Sequence, residues 1–198
     1  MTRNKPITLA NGDILLPLYD EREWACLFAY SSDGEKSWGF SAPIRSQPGN
    51  IQPAAVQLPD GSLLALMRTG GKGGYIWRSH SFDAGRTWTP PRPTELPNPN
   101  SGIDLIRLPA PDQAQVANGH LALAFNNTPR GRPPLNVALS LDEGQTWPHI
   151  RAPETGPGEF SYPALLQTQD GLIHVTYTYR RETIAHTLFD EEWLQEGR

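Results

Sequence analysis

Three aspartates recur in one setting along this 198-residue chain. Asp83 stands in Ser81-Phe82-Asp83-Ala84-Gly85-Arg86-Thr87-Trp88. Asp142 stands in Ser140-Leu141-Asp142-Glu143-Gly144-Gln145-Thr146-Trp147. Asp33 stands in a degenerate copy, Ser31-Ser32-Asp33-Gly34-Glu35-Lys36-Ser37-Trp38, where Glu35 takes the glycine place. Carboxylates can work in pairs as acid and base on a glycosidic bond. Turn chemistry explains these three without catalysis. An Asp accepts backbone N–H bonds within its own turn, and the Gly adopts a conformation other residues resist. The expectation is therefore structural, with each box Trp packed between strands. Five histidines show no metal-ligand spacing, and no phosphate-loop or dinucleotide motif is present. No metal and no cofactor is expected. Cys26 is the single cysteine, which excludes an intrachain disulfide and fits a reducing compartment.

The elements that carry these residues repeat with them. The three boxes begin at 31, 81 and 140, so they are 50 and 59 residues apart. A second signal is a turn before an apolar strand: Asn11-Gly12, Asp60-Gly61, Asn118-Gly119 and Asp170-Gly171. Their glycines are 49, 58 and 52 residues apart, at 12, 61, 119 and 171. Asn-Gly and Asp-Gly are strong hairpin signals because both residues tolerate positive φ. The longer middle interval holds Pro109-Ala110-Pro111-Asp112-Gln113-Ala114-Gln115, expected as a loop insertion. Two interleaved signals with one period near 50 indicate propeller blades. Each unit runs strand, Asn/Asp-Gly turn, strand, strand, Asp-box turn, outer strand. The last of the four has no box after Tyr177-Thr178-Tyr179. Helix is expected only over Asp190 to Glu196. The fold class is all-β, a β-propeller of about four blades.

Boxes spaced in this way resemble those of the sialidase (neuraminidase) superfamily, in its BNR-repeat branch, over nearly the whole chain. The segments between them extend the resemblance. Asp60-Gly61-Ser62-Leu63-Leu64-Ala65-Leu66-Met67-Arg68 is similar to the strand that ends in an arginine of the family's carboxylate-binding triad. Arg130-Gly131-Arg132-Pro133-Pro134-Leu135 is similar to the segment with another triad arginine, and Arg132 takes that place. Ser161-Tyr162-Pro163-Ala164-Leu165-Leu166 resembles the segment of the tyrosine nucleophile. The order Arg, Arg, Tyr is the family order. Guanidinium forks match a carboxylate, and a neutral tyrosine avoids repulsion by an acidic sugar.

The resemblance implies a retaining exo-glycosidase acting on a terminal acidic sugar, with Arg68 and Arg132 as substrate-binding residues and Tyr162 as nucleophile, converging on one face; the isolated chain is expected to show no appreciable activity. Two departures stand beside it. The family's glutamate base falls on Gln52, whose amide cannot accept the proton, leaving Glu159 as a substitute or as a solvated loop residue. The family's first blades, with another arginine and an acid/base aspartate, have no counterpart, so residues 1–198 are expected as one domain lacking two blades. Its end strands, Ile14 to Leu18 and Ile173 to Tyr177, would then expose apolar residues and favour completion by a second chain or self-association. Asn126, Asn127 and the Asn98 to Asp104 loop, including Asp104, are candidates for sugar contacts. Each assignment has a plain alternative: Arg68 and Arg132 as surface or inter-blade arginines, Tyr162 as a core tyrosine. A non-catalytic carbohydrate-binding propeller and a structural or interaction propeller are the alternative functions.

Composition narrows the partners. A net charge of -4 without basic blocks gives no general attraction for nucleic acid or anionic membrane. Twenty prolines, 18 glycines and six tryptophans suit many short strands joined by turns. No signal-peptide pattern or transmembrane-length apolar run is seen, so a cytoplasmic or unassigned location is expected.

Overall fold

The computed structural model describes residues 1–109 and 119–196. The expected insertion beyond Pro109, together with Asn118, lies outside the described residues. The chain divides into two compact units, Met1–Asn100 and Ser101–Arg198.

The first unit contains two four-stranded sheets, each in simple chain order. One is β1 (Ile7–Thr8), β2 (Ile14–Asp20), β3 (Ala25–Ser31) and β4 (Gly39–Phe40); the other is β5 (Asn50–Gln57), β6 (Leu63–Thr69), β7 (Gly74–Ser81) and β8 (Arg92–Asn98). Leu15, Phe28, Ala55, Leu63, Ala65 and Met67 share its core. In the second unit, β9 (Asp104–Arg107), β10 (Leu121–Phe125), β11 (Leu135–Ser140) and β12 (His149–Glu154) form the third sheet. The fourth has three strands, β13 (Phe160–Gln167), β14 (Ile173–Tyr179) and β15 (Thr183–Phe189), followed by α1 (Glu191–Gln195). Asp190 caps that helix, accepting from the Trp193 N–H at 2.7 Å. This is the expected strand order. Every residue of β6 and of β10 is buried, so β10 and residues 63–67 of β6 read as continuous apolar runs instead of alternating.

The Asp boxes are turns built by their own side chains. Asp83 accepts from the Ser81 hydroxyl (2.9 Å), the Thr87 N–H (2.8 Å) and the Thr87 hydroxyl (2.6 Å), while Ser81 accepts from the Gly85 N–H (2.9 Å). Asp142 repeats the pattern with Ser140, Thr146 and Gly144, and Asp33 repeats it with Ser31, Ser37 and Glu35. Each box holds two successive left-handed residues: 84 and 85, 143 and 144, 34 and 35. The degenerate copy keeps the geometry with its glycine one place earlier, leaving Glu35 at φ +69°. Trp88 stacks on Phe28 with ring centres 4.3 Å apart, and Trp147 is buried. Trp38 departs from the expectation, being 38% exposed.

One sequence expectation needs correcting. Ile173, Val175 and Tyr177 are not the exposed face of β14; they are buried in the core of the second unit. Strand periodicity turns alternate residues to opposite faces. The open face of this sheet instead carries Leu166, Ile184 and Leu188 with His186 and Thr176. On β2, Leu15 and Tyr19 are buried, and Ile14, Leu16 and Leu18 are half-buried.

Candidate functional site

Two of the candidate residues, Gln52 and Tyr162, are aimed by a bulge used in both units. In the second sheet Ile51 pairs with Arg68 and Ala54 with Leu66, so Gln52 and Pro53 together face Met67. In the fourth sheet Ser161 pairs with Thr178 and Ala164 with Thr176, so Tyr162 and Pro163 together face Tyr177. A proline cannot donate to the ladder and is tolerated where the ladder is interrupted. The residue before it is left-handed in both cases, φ +53° at Gln52 and +54° at Tyr162. For a non-glycine residue this costs on the order of 1–2 kcal/mol. The strained conformation re-aims the side chain out of strand alternation.

In the first unit the bulge presents an amide to an arginine. The Arg68 guanidinium donates to Gln52 Oε1 at 2.8 Å and to Asn100 Oδ1 at 2.7 Å. Arg68 and Gln52 are each only 7% exposed, so Arg68 is not an ordinary surface arginine. Asn100 is itself left-handed, φ +62°, and its amide donates to the Gly71 carbonyl at 2.8 Å.

In the second unit the bulge presents a phenol beside a charge cluster. Arg132 donates to Glu159 Oε1 at 2.9 Å, and its guanidinium carbon lies 5.1 Å from the centre of the Tyr162 ring. Arg181 donates to Glu159 Oε2 at 2.7 Å, and the Ser161 hydroxyl to Oε1 at 3.0 Å. Tyr162 is 42% exposed and is not a core tyrosine. Glu159 is correspondingly not a solvated loop residue. Burial pushes its carboxyl up, but the bonds from Arg181 and Ser161 and the charge of Arg132 outweigh this and hold it below the usual carboxylate range. A carboxylate held in that way is a weaker base at neutral pH.

Asn126 and Asp104 occupy buried positions. The Asn126 amide donates to the carbonyls of Arg132, Pro134 and Phe160, pinning the loop that bears Arg132 to the start of β13. Asp104 accepts from the Leu165 N–H at 2.7 Å and from its neighbour Leu105 N–H at 3.0 Å, tying β9 to β13. Both residues act on the surroundings of Tyr162 through the backbone. Asn127 lies where β10 ends, its N–H bonded to Asn136 Oδ1. Sequence reasoning did not single out Arg181. Its signal is the alignment of Gln52-Pro53-Ala54 with Tyr162-Pro163-Ala164, which sets Arg180-Arg181 at the end of β14 where Gly70-Gly71 ends β6. Among the described residues no group of three or more metal-ligating side chains gathers, and no helix is long and apolar enough to cross a membrane.

The family model described as BNR repeat-like domain matches residues 1–175. The chain belongs to this BNR-repeat family of the sialidase superfamily. As a BNR-repeat protein it is 28% identical over 168 residues to a sialidase of Micromonospora viridifaciens, covering 83% of this chain and 25% of the relative. It is 27% identical over 180 residues to an anhydrosialidase of Macrobdella decora, covering 84% of this chain and 23% of the relative. The intramolecular trans-sialidase of Ruminococcus gnavus, solved with oseltamivir carboxylate, superposes with a TM-score of 0.79 at 24% identity, over 96% of this chain and 43% of that one. That likeness shows the fold: the meander sheets are β-propeller blades. The chain spans about a quarter of the length of the two curated relatives.

Proposed function

We propose that this BNR-repeat chain carries the nucleophile-bearing part of a sialidase-like retaining exo-glycosidase for a terminal acidic sugar. The observation that carries the reading is the exposed Tyr162, held left-handed in a proline bulge with the Arg132 guanidinium over its ring. In the reaction the Tyr162 oxygen attacks the anomeric carbon as a base takes the phenolic proton, a general acid protonates the departing aglycone oxygen, and water then displaces the tyrosine from that carbon, releasing the sugar with retention and returning a proton to the phenol. Arg132 holds the sugar carboxylate, and Arg68, by its match to the family motif, has the same task. Gln52 stands where the family's base stands, and its amide cannot take the phenolic proton. That observation favours the second reading, a carbohydrate-binding propeller with little turnover.

The experiment separating the two is a one-residue restoration. Hydrolysis of an aryl sialoside is followed for the natural full-length polypeptide and its variants. Gln52→Glu keeps an acceptor for Arg68 and supplies a base, with an expected rise of about 10²-fold, the scale of general-base assistance. Adding Tyr162→Phe to that variant should abolish the gain. If Gln52→Glu gains nothing while sialic acid still binds, the chain is a binding module.

A further inference from the structure

Arg180 and Arg181 are the two central residues of the β14–β15 hairpin, both left-handed at φ +54° and +59°. The Glu182 N–H closes the turn onto the Tyr179 carbonyl at 3.0 Å. Such turns normally take Asn-Gly, because two L side chains resist that backbone. The second sheet shows the unstrained alternative. There Gly70 N–H bonds the Gly49 carbonyl at 2.8 Å; here Arg180 N–H bonds the Glu159 carbonyl at 2.7 Å. Glu159 therefore stands in the place of Gly49, and Arg180 and Arg181 in those of Gly70 and Gly71. Three charged residues replace three glycines at one end of a sheet, and two of them are paired with each other. The Arg181 side chain is 71% exposed, yet its Nε is fixed on Glu159 Oε2 while Arg132 holds Oε1. One carboxylate is thus gripped by two guanidinium groups whose charges exceed its own.

We propose that Arg132 and Arg181 form a carboxylate clamp in the second unit, occupied in the free protein by Glu159 and taken over by the carboxylate of an acidic sugar that displaces it. The proposal rests on the acidic-sugar reading above and makes Arg181 a determinant of specificity. Guanidinium forks suit any planar carboxylate, and a ligand gains from the clamp only what it wins over Glu159.

The test is an NMR titration of the full chain with N-acetylneuraminic acid and, separately, its methyl ester. The acid should bind at least about tenfold tighter than the ester, the scale of one charge-assisted hydrogen bond. Arg181→Gly, which suits the left-handed turn, should weaken the acid about tenfold and leave the ester unchanged. Glu159→Gln, which neutralises the occupant, should tighten the acid severalfold, an effect no purely structural role for Glu159 produces. Arg180→Gly is the folding control and should keep wild-type affinity with a raised melting temperature. Unchanged affinity in Arg181→Gly with loss in Arg132→Ala would remove Arg181 from the clamp and leave the functional reading standing. Weaker binding in Glu159→Gln would overturn the displacement. No discrimination between acid and ester, or no effect of Arg132→Ala, would undo the acidic-sugar reading along with the clamp.

Discussion

The residues around Tyr162 are held by backbone groups as much as by each other. Asn126 is fully buried, and its amide serves three carbonyls, one of them on Arg132 itself. Its removal would leave the buried Phe160 carbonyl without this donor, which costs roughly 1–3 kcal/mol. Asn126→Ala should therefore lower stability by about that amount in urea melts, and should broaden the NMR signals of residues 130–134. A variant as stable as the wild type, with an unmoved loop, would show that the three bonds contribute nothing. None of this was legible in the sequence, where Asn126 reads as a polar residue near a sugar site. Burial depends on which face of β10 the pair Asn126-Asn127 follows, and a run apolar on both faces leaves that parity unmarked. The motifs that make Tyr162 and Arg132 candidates are local, and the structure sets that guanidinium over that ring. The Glu159 contacts were not legible, because Arg181 is brought to it by a strand pairing.

At the scale of elements, the Asp box explains why the repeat survives degeneration. Its bonds join Ser, Asp, Thr and two left-handed positions, and the chain in Ser31 to Trp38 makes them with serine for threonine and a displaced glycine. The carboxyls of Asp33, Asp83 and Asp142 are held below the usual range. Burial raises Asp83 and Asp142, but the hydrogen bonds from their own threonine and serine prevail; at Asp33 the Ser37 bonds dominate. A depressed folded-state value stabilises the protein above the unfolded value, near 3.9, and the contribution is lost as pH falls below it. Thermal midpoints should stay level from neutral pH to about 5 and then fall below about pH 4. Asp83→Asn with Asp142→Asn should flatten that fall. The pattern Ser-x-Asp-x-Gly-x-Thr-Trp shows this chemistry in the sequence, since all partners lie within four residues.

At the scale of the whole molecule, burial is uneven in a way that composition conceals. β6, β10 and β11 are buried throughout, whereas β13 and β15 show Leu166, Ile184 and Leu188 to solvent. An apolar sheet face of this kind favours association. The chain should show concentration-dependent mass in light scattering, and Leu166→Lys with Leu188→Lys should reduce it without changing the far-ultraviolet spectrum. A strict monomer at every concentration would show that the face is tolerated as it is. The period of the repeat announced the blades, but which of the apolar residues on β14 and β15 face outward depended on strand parity.

The paired proline bulges carry a consequence for heredity. The same backbone niche holds an amide in one sheet and a phenol in the other, with φ angles that differ by one degree. A niche that accepts unrelated side chains without moving its backbone lets a lineage change what stands in it at no architectural cost. Glutamine and glutamate codons differ by a single base. Position 52 is therefore one point mutation from a carboxylate, in a chain whose Arg68 already donates to the oxygen of the residue that stands there. Under the proposed function, a single base change at this position would decide whether the propeller turns its sugar over or only holds it.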